Sequence, residues 1–184
     1  MPMTVVEVAD LTFSAKHPST LGELLIAGKK LPPDATALLM QDHAEVKAMF
    51  RQYEIEEDAG VKSALATEIC VALTVHAQIE EEIFYPAAGE ALEDDGLVNE
   101  AIEEHDEIKK KIVKIVESTT EKSILDGTVK TMMRIVEHHV QEEETQMFPD
   151  MRRIGVDLME LGRRLATRRA EILLRMMPNS AATH

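Results

Sequence analysis

Aromatic residues and cysteine are scarce in this sequence of 184 residues, which has no tryptophan, four phenylalanines, two tyrosines and one cysteine. A core must therefore be built mainly from aliphatic side chains and methionine. Glycine and proline are also few, eight and seven residues respectively, whereas residues that lose little free energy on entering a helix are abundant. The composition predicts an all-α fold, and the length suits one domain with an appended element.

With a single cysteine, Cys70, the chain has no internal disulfide and fits a reducing compartment. Its neighbours in TEICVALTV are apolar, which favours a buried small side chain over a reactive thiol. The first residues, MPMTVVEVADLTF, carry Glu7 and Asp10 where a signal peptide would have basic residues, and no apolar run approaches membrane-spanning length. These absences predict a cytoplasmic protein with no membrane partner.

Basic residues are outnumbered, with 20 Lys and Arg against 34 Asp and Glu and a formal net charge of −14. Because nucleic-acid phosphates would be repelled, we predict no nucleic-acid partner. Arginines concentrate in VDLMELGRRLATRRAEILLRMM, where apolar residues at helical spacing predict an amphipathic helix. That helix either packs on its own acidic bundle or serves in association, through a homo-oligomer or with a partner.

Four segments repeat apolar residues at spacings of three and four, the period of a helix buried on one face. They are separated by EEDAGVKS, GEALEDDG and ESTTEKS, whose composition predicts loops. Short loops between four such helices predict an up-down-up-down four-helix bundle. The predicted organisation is an N-terminal leader over 1–33, the bundle over 34–150 and a basic amphipathic helix and tail over 151–184.

One histidine lies on the inward stripe of each predicted helix: His43, His76, His105 and His139. A lone histidine on an apolar face is usually a hydrogen-bonded core residue, so a metal-free bundle is one interpretation. In an antiparallel hairpin, however, residues equidistant from the turn lie at the same level. The midpoints of consecutive pairs fall within DAG, GEALEDDG and TTEKS, which predicts that all four imidazoles share one layer.

Two carboxylates fall into the same layer. Glu80 follows His76 by four residues and Glu143 follows His139 by four, a step of about 40° past one turn and about 6 Å along the axis. An ionised glutamate does not belong in a core without compensation. Four imidazoles and two carboxylates meeting in one layer predict metal binding by these six side chains.

The sequence also repeats internally, since DHAEVK at 42–47 matches EHDEIK at 104–109 and HAQIEEEIFYP matches HVQEEETQMFP. Two hairpins of one design imply pseudo-twofold symmetry and two equivalent metal positions. Imidazole with carboxylate suits iron, and also manganese or zinc. We predict two iron ions (Fe2+/Fe3+) joined by a bridging oxygen, with two histidines each and two bridging glutamates, which leaves room for a small ligand.

The pattern H…HxxxE…H…HxxxE, across roughly residues 36–150, resembles the hemerythrin-like, or HHE cation-binding, family. The resemblance implies a non-haem di-iron centre in a four-helix bundle, with both glutamates bridging the irons. Oxygen-carrying hemerythrins have a fifth histidine in HxxxH on the third helix and HxxxxD on the fourth. Here Lys109 follows His105 by four residues and Ala101 precedes it by four, which argues against reversible oxygen carriage.

Two functional hypotheses remain. In the first, the di-iron centre binds or reduces oxygen, nitric oxide or peroxide in stress protection, with no catalytic residue beyond the ligands. In the second, a non-catalytic module stores or senses iron or oxygen and reports through the leader or the last helix. Turnover of peroxide would distinguish the first from the second.

Four further side chains receive predictions of their own. His17 and His184 are predicted to be ordinary surface histidines. His138 lies 100° from His139 on an ideal helix, which favours a boundary position, paired with Glu142, over a ligand role. Tyr85 lies about 180° from His76, which argues against a ligand role unless Pro86 distorts the helix.

Overall fold

The computed structural model describes residues 33–92, 96–117 and 122–176, and every regular element in these ranges is helical. This confirms the predicted all-α class. The predictions for the leader over 1–33, apart from residue 33, and for His17 and His184 lie outside the described residues. The helices are α1 (Ala35–Ile55), α2 (Ala59–Ile79), α3 (Tyr85–Leu92), α4 (Gly96–Glu117), α5 (Lys122–Glu142), α6 (Phe148–Ile154) and α7 (Leu158–Met176).

Aspartate side chains cap the first two helices. Asp34 accepts a hydrogen bond from the backbone N–H of Ala37, and Asp58 accepts from those of Gly60 and Val61. Each cap satisfies backbone donors that have no partner within the helix. The cap at Asp58 starts α2 at Ala59, within the segment EEDAGVKS that was predicted to be a loop.

Two π-helical turns, Glu80–Phe84 and Glu143–Met147, join α2 to α3 and α5 to α6 without interrupting the helical path. The backbone N–H of Tyr85 donates to the carbonyl of Glu80, five residues back, and that of Phe148 donates to Glu143 in the same way. A proline follows each of these residues. Because proline has no N–H and clashes with the carbonyl four residues before it, a wider turn accommodates it inside a continuous helix.

The C-terminal helix α7 packs against α1 and α2 of its own chain. Its side chains Leu161, Leu165 and Ile172 are buried in this contact. At Gly162 the backbone comes so close to Pro33 and Ala35 that a β-carbon would clash. Packing on the bundle was one of the two interpretations of this helix, and self-association through its remaining surface stays a prediction.

Two apolar clusters lie on either side of the histidine layer. The first cluster contains residues next to the π turns together with α7, and the second contains the aliphatic half of the bundle together with Cys70. Along α1, for example, His43 falls between Leu39 of the first cluster and Val46 of the second. Within the described ranges, no helix is long and apolar enough to span a membrane.

Candidate metal centre

The six predicted ligands converge in one buried layer, each at most 5% exposed. The Nε2 atoms of His43 and His76 are 3.2 Å apart, and so are those of His105 and His139. Two groups of side chains are compact enough to hold a metal ion, with ligand atoms within 4.8 Å of one another. They are His43, His76, Glu80 and Glu143 in one group, and Glu80, His105 and His139 in the other.

Because Glu80 belongs to both groups, the two groups share a carboxylate. The structure places the four histidines in one layer, at the same depth along the bundle, as the positions of the turns predicted. On each helix the histidine points inward because it belongs to the apolar stripe. Its neighbours three or four residues away, such as Ile108 after His105, are buried in the core.

On its outward side, each imidazole meets a carboxylate through Nδ1. The pairs are His43 with Glu144 at 2.9 Å, His105 with Glu81 at 2.9 Å, His139 with Glu104 at 3.0 Å and His76 with Asp42 at 3.4 Å. An Nδ1–H that donates to a carboxylate fixes the tautomer and leaves the Nε2 lone pair facing inward, which is the arrangement of metal-binding histidines.

The four outer carboxylates were not identified from the sequence. Their signal lies in the repeat, where an acid directly precedes the first histidine of each half, in DH and EH, and another directly follows each HxxxE glutamate. Each acid is also next to a cationic or imidazole partner. The partners are Lys47 for Glu144, Lys109 for Glu81, Arg169 for Asp42 and His138 for Glu104.

Lys109 occupies the position where oxygen-carrying hemerythrins were expected to place a fifth histidine. Its ammonium group is exposed and lies 2.7 Å from Glu81, outside His105. His138 is likewise at the surface, with its side chain 60% exposed, and its Nδ1 lies 3.8 Å from Glu142. The exposed position of His138 agrees with the helix phase inferred from the sequence.

Tyr85 is the site residue that the helix phase misplaced. Its hydroxyl donates to Glu143 at 3.0 Å and lies 3.2 Å from Nε2 of His105. The π turn after Glu80 adds one residue, so Tyr85 is rotated by about 100° from its α-helical phase and faces the layer. The ideal-helix placement opposite His76 is therefore wrong.

The second π turn does the same for the matching residue of the repeat. Phe148 stacks on the ring of His43, with centroids 5.8 Å apart and planes 9° apart, while Tyr85 tilts over His105 with centroids 5.4 Å apart. The two half-sites therefore differ, because one carries a hydroxyl group and the other carries only an apolar ring.

Burial and mutual repulsion give the two central carboxyl groups, Glu80 and Glu143, different pKa values. Burial and the charge of Glu143 raise the pKa of Glu80 well above its usual range. Burial also tends to raise the pKa of Glu143, but the charges of His139 and His43 outweigh it and lower that pKa. Of the two carboxyl groups, Glu80 therefore favours its protonated form and Glu143 its ionised form.

Burial affects the other groups of the layer as well. It lowers the pKa of His76 to about 4, although Asp42 opposes this. It raises the pKa of the Tyr85 hydroxyl, and the carboxylates of Glu143 and Glu80 raise it further. Tyr85 and His76 are accordingly neutral at physiological pH.

Two buried oxygens, Oε1 of Glu80 and Oε2 of Glu143, have no hydrogen-bond partner. A buried polar atom without a partner is costly, and a cation would compensate both. The donor set of imidazole nitrogens and carboxylate oxygens suits iron, manganese or zinc. Cys70 takes no part, since it is buried in the second cluster and burial raises the pKa of its thiol to about 12. The residues present therefore fit a metal ion.

A cavity of about 10 Å³ adjoins the four histidines on the side of the second cluster. Its other walls are mostly aliphatic, including Val46, Leu73, Ile108, Val136 and Val140. A cavity of this volume holds about one water-sized molecule. A ligand reaching the layer from this side must be small.

The contact of Arg169 with Asp42 gives a test of the outer carboxylates. We expect Arg169→Ala to weaken metal affinity by about tenfold, because Asp42 orients His76 and loses its cationic partner. Arg168→Ala is the matched control, since Arg168 pairs with Glu82, away from the layer. Competition with a chromogenic chelator measures both affinities, and equal affinities in the two variants would contradict a role for Arg169.

Comparison with known proteins agrees with the geometry. The family model described as "Hemerythrin HHE cation binding domain" matches residues 34–151. The crystal structure of a Hemerythrin HHE cation binding domain-containing protein from Mycobacterium kansasii superposes with a TM-score of 0.65 at 23% identity, covering 82% of this chain and 96% of that one. This likeness shows a shared helical fold.

A DNA nickase from Nostoc sp. is 26% identical over 115 residues, which are 62% of this chain and 32% of the nickase. The chain thus spans about a third of the length of this relative. Since the family match covers more than half of the chain and includes all six layer residues, this protein belongs to the hemerythrin HHE cation-binding domain family.

Proposed function

We propose that this protein is a non-haem di-iron protein that binds and reduces a small oxidant, namely oxygen, nitric oxide or peroxide, in protection against stress. The observation that carries the proposal is the buried layer in which four inward Nε2 atoms surround two carboxylates that have unpartnered oxygens. His43 and His76 would hold one ion, His105 and His139 the other, with Glu80 and Glu143 between them. Iron bound there would supply electron exchange with the oxidant.

The chain's own residues shape the site for such a ligand. The mostly aliphatic walls of the cavity leave room only for a small molecule. The outer carboxylates hold the imidazoles in one tautomer, so the ring nitrogens are oriented before any ligand arrives. The net charge of −14 supports a small neutral ligand rather than a nucleic acid. A cytoplasmic location fits the reduced, buried state of Cys70.

Turnover of hydrogen peroxide tests the proposal directly. Purified iron-loaded protein should consume peroxide and release oxygen in the stoichiometry of disproportionation, which needs no further reductant.

Elemental analysis of protein purified without an affinity tag should give about two iron atoms per chain, since the repeat duplicates one half-site. A content near one, or zinc with no iron after growth in iron-sufficient medium, would reject the di-iron assignment.

Tyr85 brings a hydroxyl proton into the layer, 3.0 Å from Glu143. We expect Tyr85→Phe to lower peroxide turnover by at least about tenfold, because a positioned proton donor typically contributes a factor of about 10² or more. Metal content should be unchanged, since a phenyl ring already occupies the matching place at Phe148. Tyr53→Phe is the control, because Tyr53 lies in the second cluster and its hydroxyl donates a hydrogen bond to Asp126. Equal turnover in the two variants would remove Tyr85 from the chemistry.

The contact of α7 with the centre favours a second candidate, a non-catalytic module that senses oxygen or iron. Arg169 reaches Asp42, which meets His76, so the last helix touches the outer side of one half-site. A change at the layer can therefore alter how α7 is held. Spectroscopic binding of nitric oxide or oxygen without peroxide turnover would favour this candidate over the first.

A further inference from the structure

A third group of potential metal ligands lies at the surface, on the outer side of α4 and α5. It consists of Glu104, His138 and Glu142, whose ligand atoms lie within 4.8 Å of one another. Nδ1 of His138 is 2.6 Å from Glu104 and 3.8 Å from Glu142. The imidazole is exposed and both carboxylates are partly exposed. We call these three residues the surface triad.

The internal repeat shows that this surface differs from its counterpart. In the first half of the chain the positions matching Glu100, His138 and Glu142 are Leu38, Val75 and Ile79. Those three apolar side chains are buried in the first cluster together with α7. In the second half of the chain, no helix among the described residues covers the corresponding surface as α7 does in the first. The matching positions there carry Glu100, His138 and Glu142.

Charge is also arranged differently in the two halves. Asp42 meets His76 on one side and the guanidinium of Arg169 on the other. Glu104, its counterpart, accepts from His139 through Oε2 and meets His138 through Oε1. Among the described residues, no lysine or arginine forms an ion pair with Glu104 or Glu142. The position that a guanidinium occupies beside Asp42 in one half is thus occupied in the other half by the imidazole of His138, between Glu104 and Glu142.

We propose that the surface triad binds an exchangeable divalent transition-metal ion and serves as the loading site of the buried centre. One imidazole and two carboxylates suit zinc, iron(II) or manganese(II), and the exposed side leaves positions for water, so the ion exchanges readily. Glu104 contacts both the surface triad and His139. An ion held by the triad is therefore separated from the layer by the side chains of Glu104 and His139. The loading role rests on the proposed metal centre, whereas binding at the surface does not.

Zinc titration of the metal-replete protein tests the surface site. After desalting, calorimetry should show one additional zinc per chain, with the buried metal retained by elemental analysis. His138→Ala and Glu142→Gln should each weaken this binding by at least about tenfold, because each removes one of three ligands. Glu103→Gln is the matched control, since Glu103 is an exposed glutamate on α4, next to Glu104 but outside the triad. Absence of the additional zinc, or equally tight binding in the variants, would overturn the proposal.

Uptake of iron tests the loading role. Chelator-stripped protein, at a temperature where circular dichroism shows it still helical, should take up Fe2+ about tenfold more slowly in His138→Ala and Glu142→Gln than in the wild type or Glu103→Gln, since a surface site raises the local ion concentration. The final iron content should be the same. Equal initial rates would overturn the loading role. Failure of the wild type to take up iron would instead overturn the proposed di-iron function, while the zinc titration would still report on the triad.

Discussion

Removal of the metal with a chelator should lower the midpoint of thermal unfolding at neutral pH by about 6–20 °C. Without the metal, Glu80 and Glu143 face each other in a buried layer, and each has an oxygen with no hydrogen-bond partner. Leaving a buried charge without its partner typically costs about 3–5 kcal/mol. For a chain of this length, each kcal/mol of stability corresponds to about 2–4 °C in the midpoint.

The stripped protein has two ways to respond, and both lower its stability relative to the metal-bound form. It can take up a proton on Glu80, whose pKa burial and Glu143 already raise, or it can loosen the helices around the layer. Refilling with Fe2+ should restore the midpoint. In His139→Ala, which is expected to hold less metal, the chelator should lower the midpoint by less than in the wild type. An unchanged midpoint in wild-type protein, with metal loss confirmed, would contradict a shared buried site.

The helix phase and the turn positions made much of the centre predictable from the sequence. His43, His76, His105 and His139 lie on apolar stripes whose period is set by the α-helix, and turns centred between them put all four at one depth. Both arguments depend on local regularity, which α1, α2, α4 and α5 keep as far as the layer.

Beyond the layer the same arguments fail, and the reason is local. The π turn after Glu80 adds a residue, so every side chain that follows it, beginning with Tyr85, is out of phase with an α-helical count. Pro86 and Pro149 gave the signal, but a proline can end a helix, kink it or widen it, and only the backbone shows which. The pairing of outer carboxylates with histidines crosses between helices and could not be read from spacing within one helix.

The last helix makes the two half-sites unequal although the sequence repeat makes them similar. α7 covers the first half with apolar side chains and brings Arg169 to Asp42, while the second half exposes His138 beside Glu104. The repeat alone predicts two equivalent metal positions. With Tyr85 near His105 and Phe148 near His43, the positions differ on both their inner and outer sides, so we expect one of them to bind a small ligand in preference to the other.

The adjacent histidines His138 and His139 provide the sharpest test of the ligand assignment, since they share a helix turn and differ only in direction. We expect His139→Ala to reduce the metal content from about two atoms per chain to about one or fewer, because its Nε2 lies 3.2 Å from that of His105 and 3.5 Å from Glu143 in the buried layer. His138→Ala should keep the full content, because this side chain is exposed and its Nδ1 faces Glu104 rather than the layer. Elemental analysis of the desalted variants measures both, with circular dichroism as the check that each remains helical. If His138→Ala loses metal as completely as His139→Ala, the helix phase has selected the wrong histidine and the layer is not the metal site.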